Sequence, residues 1–409
     1  MAVKIIRQPK KIALIGAPTS AAALRAGHER APAALRAAGL TERLQAAGLE
    51  VADQGDCTTQ VFQPDDEHPR ARNLPAIIAA LNDLRPRVEQ AAKSGALPLI
   101  LGGDCIITLA TLAGLRRHHR SVSLIWMDKD ADLNVPATTP SGCVDGMAVA
   151  HVVGQGAPEL VRFWTEPPLV REPDVALFGL ERLDLPEEQW LARSPMRRYT
   201  AAEIQRQGVV ATAEAALERV HAARREFVLH FDCDVISADD FRATNYAAPG
   251  GLRLEDVRQA LEVFARQKNL GAIEVTAYNP ELDPDGSAAK LLVELLASAL
   301  AARLAALGEA SAADTGAAAA AQVVTPGAAS GSDSAASAAG GAESSGGAMP
   351  EPPAAAPEGS ATPESAAAAP DASAATETTA TEEFAAQSEV SEAADSATGP
   401  ASPGTEPPS

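Results

Sequence analysis

After Arg303 the chain has no lysine or arginine, although that stretch carries 15 of its 54 acidic residues. A segment without positive charge has no means of neutralising phosphates, so a nucleic-acid partner is excluded for it. The remainder holds 39 acidic against 34 basic residues, so most of the net charge of −20 belongs to the tail. Aromatic residues are nearly missing there too, with Phe384 the single one among Ala, Ser, Pro, Gly, Thr and Glu. Such a composition buries too little apolar surface to offset its ordering entropy. Residues 305–409 are therefore expected to be a disordered, solvating tail, and residues 1–304 a folded domain.

Other shortages narrow the class further. The four cysteines, Cys57, Cys105, Cys143 and Cys233, show no paired CxxC spacing, which excludes a disulfide framework in a reducing compartment. Nowhere do eighteen apolar residues run together, and the basic start MAVKIIRQPKKIALIGAP has no long apolar stretch or cleavage pattern. The expectation is a soluble cytoplasmic protein with no membrane partner. No internal repeat is visible.

Eight short apolar runs read as strands: KIALIGA from Lys11, LEVADQ from Leu49, LPLILGG from Leu97, VSLIWMD from Val122, DVALFGL from Asp174, MRRYT from Met196, EFVLHFD from Glu226 and GAIEVTAY from Gly271. Between most of them lie stretches such as LPAIIAALNDLRPRVEQAAKSG, with apolar residues three and four apart and a closing glycine. This alternation predicts an α/β fold with a parallel sheet covered on both faces.

Ligands of such sheets gather at the carboxyl ends of the strands. One run ends in Asp104-Cys105, another in Asp128, Asp130 and Asp132, and a third continues through Asp232, Cys233 and Asp234. If the segment after Trp126 stays extended, its three aspartates share one face. Each piece alone reads as a turn or a helix cap. Together they concentrate like charges in one mouth, where a cation is the economical remedy, and oxygen-rich ligands favour manganese or magnesium over zinc.

The segments LILGGDC, WMDKDADLNVPATTPSGCVDGMAVA and LHFDCDV, in this order and spacing, resemble the ureohydrolase superfamily of arginase, agmatinase and formimidoylglutamase. GHERAPAALRAAGL, APGGLRLEDV and YNPELDPDGSAAKLLVELL extend the resemblance over nearly all of residues 10–304. It implies a three-layer α/β/α sandwich with a mostly parallel eight-stranded sheet. It also implies two Mn2+ ions, hydrolysis of a guanidinium or related C–N bond, and assembly as a homo-oligomer, a trimer or hexamer.

Carried over by position, the metal ligands are Asp128, Asp132, Asp232 and Asp234, with Cys105 and Asp130 where the family usually has histidine. Asp145 falls where the family has a proton-shuttling histidine, and is the catalytic candidate. Ala277 stands near the position of the glutamate that receives the substrate guanidinium, and Glu274 is not a convincing replacement. Lys129 reads as a neutralising neighbour, His230 as an interior histidine, with substitution for a lost imidazole as the alternative, and Cys233 as core. Two readings follow. One is a hydrolase of a small guanidino or formimino compound, with an altered metal site and reduced activity; the other is a catalytically silent homologue with a binding or assembly role.

Overall fold

The computed structural model describes residues 6–116, 121–163 and 166–321. His118 and His119, read from sequence as a solvated helix end, lie outside these residues, as does the expected tail beyond 321. The strands are β1 (Lys11–Ala17), β2 (Glu50–Asp56), β3 (Leu97–Gly102), β4 (Val122–Met127), β5 (Val175–Leu180), β6 (Arg197–Thr200), β7 (Glu226–Asp232) and β8 (Leu270–Thr276). Each begins and ends within two residues of the run that predicted it. They form one sheet in the order β2-β1-β3-β8-β7-β4-β5-β6, and every neighbouring pair is parallel.

Strands β3, β4, β5 and β8 are buried at every position, so side chains of both pleat directions meet protein. That is why these runs read as continuous apolar stretches rather than as alternation. The edge strand β2 is largely exposed, and Arg36 pairs across its Asp53 and Asp56. Charged side chains on an edge discourage pairing with another chain. The helix Leu74–Lys93 packs on β1 and β3, Thr108–Leu115 on β7 and β8, and Val209–Arg219 on β5 and β6.

The last helix, Ser287–Ala321, crosses the boundary expected at residue 304. Its segment Ser287–Gly308 is long and apolar enough to cross a membrane, a feature the search for uninterrupted apolar runs passed over. Half of that span is buried inside the fold, and it packs on the helices Leu254–Ala265 and Leu40–Ala46, as a core helix does.

The register of the central strands sets the site. Trp126 of β4 lies opposite His230 of β7, which lies opposite Glu274 of β8. Two residues further along β7, Asp232 lies opposite Thr276. The period of two therefore stacks a carboxylate row above a Trp–His–Glu row on one face. The end of β3 comes close beside β1: a Cβ at Gly103 would meet the Thr19 carbonyl oxygen at 1.9 Å, so only glycine fits. That approach lets the Gly103 and Asp104 amides bond to Ala17 and Thr19, and it delivers Cys105 to the same rim.

Candidate metal centre

Five of the six expected ligands gather at one rim, in two groupings. Cys105, Asp128, His230 and Asp232 bring one donor atom each within 4.8 Å of one another, all buried. Asp128, Asp130 and Asp234 form the second, with Asp130 part-exposed. Asp132 joins neither. The shared-face argument for Asp128, Asp130 and Asp132 does not hold, because β4 ends at Met127 and the chain bends, with Asp132 at φ 51°. The Asp130 amide turns back to Asp128 Oδ1 at 2.7 Å, and the Asp234 amide to Asp232 Oδ1 at 2.7 Å. Convergence comes from two such turns at adjacent strand ends, rather than from pleat alternation.

In the deeper grouping the Cys105 thiol donates to Asp232 Oδ2 at 2.9 Å and lies 3.3 Å from Thr276 Oγ1. The His230 ring stacks on Trp126, with centroids 3.5 Å apart and planes within 4°. His230 Nδ1 lies 2.8 Å from Glu274 Oε1 and 3.0 Å from Thr108 Oγ1. Glu274 also accepts from the hydroxyls of Thr108 and, at 2.7 Å, Thr111. Glu274 thus sits beneath the centre and holds His230, which agrees with its rejection as a substrate-binding carboxylate at the mouth. Burial first, then neighbouring carboxylates, push Asp128, Asp132 and Asp232 well above the usual carboxylate range, and push the Cys105 thiol up as well.

The second grouping contains a residue that the sequence reading passed over. Arg182, two residues beyond β5, donates from Nε to Asp130 Oδ1 at 2.8 Å and from Nη2 to Asp130 Oδ2. The same Nη2 reaches Asp234 Oδ2 at 3.1 Å, and Nη1 donates to the Tyr246 carbonyl at 3.1 Å. The root of the side chain is clamped too, since the amides of Glu181 and Arg182 both bond to the Lys129 carbonyl. Lys129 is itself buried, donates to the Ala248 carbonyl at 3.0 Å, and adds positive charge near Asp234, in keeping with its expected neutralising role. Burial and Asp234 raise Asp130 to about 6 against the opposing pull of Arg182. Its sequence signal is a base rather than a carboxylate just past a strand end, in LFGLER.

Asp145 is buried and fixed from two sides: its Oδ1 accepts the Cys105 amide at 2.6 Å and its Oδ2 the Tyr246 hydroxyl at 2.8 Å. Burial raises its pKa, while these two bonds lower it. Ala277 is held at φ 62° by a 2.8 Å bond from its amide to the Gly103 carbonyl. A left-handed alanine is strained, and it persists because the surrounding bonds determine it. Cys233 is fully buried, as expected of a core residue, and all four cysteines are free.

These residues fit one divalent cation. The deeper grouping offers sulfur, nitrogen and two carboxylates, and among the described residues no lysine or arginine bonds to them, while the nearby Asp234 Oδ1 is buried without a hydrogen-bond partner. The outer grouping does not fit a second cation as it stands, because its carboxylates already hold the Arg182 guanidinium.

Relatives agree with this fold. The Arginase family model matches residues 10–302. The arginase of Bacillus subtilis is 31% identical over 297 residues, covering 72% of this chain and 99% of its own length. The arginase of Bacillus caldovelox is 30% identical over 299 residues, with the same shares. A crystal structure of the Bacillus subtilis arginase superposes with a TM-score of 0.65 at 31% identity, covering 71% of this chain and 98% of that one. The formimidoylglutamase of Bacillus subtilis, at 20% identity and a TM-score of 0.59 over 72% of this chain and 87% of that one, shares the fold. The chain belongs to the arginase family.

Proposed function

We propose that the chain retains a site for hydrolysing the C–N bond of a small linear guanidino or formimino compound, with turnover sharply reduced. The observation that carries the reduction is Arg182. Its guanidinium engages Asp130 through two nitrogens and reaches Asp234, so carboxylates at the mouth are already committed to a side chain of the substrate's own chemistry. Arginine carries its charge at every working pH, which keeps this pair formed.

Cys105, Asp128, His230 and Asp232 would hold a divalent ion. When bound, such an ion supplies positive charge that polarises a C–N substrate and acidifies water. Manganese is the family's metal by resemblance. Asp145 accepts the Cys105 amide at Oδ1 and the Tyr246 hydroxyl at Oδ2. Burial raises its pKa, and its two hydrogen bonds hold it as a fixed group rather than a swinging shuttle. Ala277 offers no carboxylate to a substrate guanidinium. A second reading, a catalytically silent homologue with a binding or assembly role, draws on that alanine and on the pinned Asp145. A homo-oligomer accords with the family resemblance under either reading.

The test is release of urea from arginine and agmatine, and of formamide from a formimino amino acid, at saturating manganese and separately at saturating zinc. We expect kcat/KM at least ~100-fold below that of the Bacillus subtilis arginase, the scale of losing one general acid or base. Turnover within about tenfold of that enzyme would remove the proposal. The triple variant Cys105→His, Asp130→His, Asp145→His is expected to raise turnover and manganese retention together.

A further inference from the structure

We propose that the centre holds one divalent ion instead of two: Arg182 takes the second position, and Cys105, Asp128, His230 and Asp232 form a single site that selects zinc over manganese. The inference rests on the reading that the rim binds metal, but not on any level of hydrolysis.

The outer position is filled by a cation that cannot leave. Arg182 uses Nε, Nη1 and Nη2 on Asp130, Asp234 and the Tyr246 carbonyl, while its backbone amide is tied to Lys129. A second metal ion there would have to break a two-pronged ion pair and then remain beside a permanent positive charge. The pair neutralises the carboxylates that the ion would need.

The deeper position has the opposite character. Its four donors come from the ends of three strands, β3, β4 and β7, and include one thiol and one imidazole besides two carboxylates. Zinc takes such sulfur, nitrogen and oxygen sets with four ligands, whereas manganese prefers six oxygen-rich ones. A tetrahedral set with bonds of about 2.0–2.3 Å has donors roughly 3.3–3.8 Å apart. The 4.8 Å within which these donors already lie leaves only a small contraction.

His230 carries the signature of a ligand that has been aimed. Glu274 and Thr108 engage Nδ1, so the ring proton belongs there and the Nε2 lone pair is left for the cluster. Nε2 has only a long contact, 3.3 Å, with Thr276 Oγ1, and that hydroxyl has the Phe231 carbonyl as an alternative partner at 3.5 Å. Stacking on Trp126 fixes the ring plane. Glu274 is accordingly a positioning residue for His230. When the ion binds, the Cys105 thiol proton, now directed at Asp232 Oδ2, is released to solvent and sulfur enters as thiolate.

The experiment uses the full-length protein, stripped of metal, equilibrated with excess Zn2+ or Mn2+ and desalted before elemental analysis. Wild type is expected to retain one zinc per chain, and competition should show zinc binding at least ~100-fold more tightly than manganese. Substitution with Co2+ should give a near-ultraviolet thiolate-to-metal band and the strong visible bands of a four-coordinate ion. Cys105→Ser should lose the near-ultraviolet band, and Glu274→Gln should weaken zinc binding by ~10–100-fold while keeping that band. Arg182→Ala should take up a second ion, and Arg182→Lys should remain at one. Two manganese ions on wild type, no retained ion, a cobalt spectrum without the thiolate band, or Arg182→Ala still at one ion would each overturn the proposal. The wild-type measurements decide it even if a variant fails to fold. None of them involves urea release, so slow hydrolysis with two manganese ions, or fast hydrolysis with one zinc, separates the fate of this inference from that of the proposed function.

Discussion

The two halves of the carboxylate cluster share Asp128 and balance their charge by different means. On the outer side, Asp130 and Arg182 are about one-third exposed, and the excess negative charge is met by an ion pair that extends to the buried Asp234. On the deeper side, Asp128 and Asp232 are almost fully buried beside a thiol and an imidazole, and burial drives both carboxyls toward the protonated form. One half is balanced by a built-in cation and the other by protons.

The largest test of this contrast lies below the deeper half. Glu274 is fully buried and holds His230, Thr108 and Thr111 together. Removing one partner of a buried, hydrogen-bonded pair leaves the other uncompensated, at a cost of about 3–5 kcal/mol. Glu274→Ala is expected to lose that much unfolding free energy in urea, measured on metal-free protein. A loss below about 1 kcal/mol would mean that the row under the carboxylates is not a stabilising network.

Much of this molecule was legible in its sequence because the central strands are buried on both faces and so appear as apolar runs ending in motif residues. Asp128, Asp130, Asp232, Asp234 and Cys105 were placed at one rim by the strand-end rule alone, and the structure brings them together. The grouping within that rim was not legible. Asp132 drifts out through a left-handed turn, and no pattern of alternation announces a positive φ at an aspartate. His230 reads first as an interior histidine and second as a stand-in for a lost imidazole; it is interior and lies within the donor cluster, and what the sequence does not show is that strand order brings β8 and its Glu274 next to β7 to hold the ring. Pairings between strands distant in sequence leave no local signal. Arg182 escaped because it follows β5, whose end carries no aspartate, and an ion pair across 52 residues has no periodicity.

His230, paired with a carboxylate, differs from His151, which is buried with Nδ1 donating to the Met147 carbonyl at 2.7 Å and Nε2 accepting the Ala157 amide at 3.0 Å. Burial lowers the His151 pKa from 6.5 to about 4, opposed only by the Met147 bond. Below 6.5 the unfolded chain takes up a proton that the folded protein refuses until about 4, so this contribution is complete above 6.5 and is lost as pH falls through that window. The loss amounts to about 3 kcal/mol by pH 4. His151→Gln should flatten the difference in unfolding free energy between pH 7 and pH 4.5 relative to wild type. An unchanged difference would assign the acid sensitivity to other groups.

The outer half should prove softer, and two substitutions there separate the carboxylate from the base. Arg182→Ala strips the cation from Asp234, which is only 2% exposed, and leaves three carboxylates facing one another. Because Arg182 is itself about one-third exposed, the cost should fall between the surface and buried limits, at about 2 kcal/mol near neutral pH. Asp130→Asn removes the opposite partner. Arg182 then keeps Asp234 at 3.1 Å and the Tyr246 carbonyl, solvent covers the remaining donors, and mutual repulsion among the carboxylates falls. The two effects offset each other, so Asp130→Asn should cost under about 1 kcal/mol. Thermal unfolding of the two variants side by side, without metal, reads the asymmetry. If Asp130→Asn proves the more damaging, the pair stabilises the rim through Asp130 rather than by neutralising Asp234, and the view of Arg182 as a replacement cation loses its energetic basis.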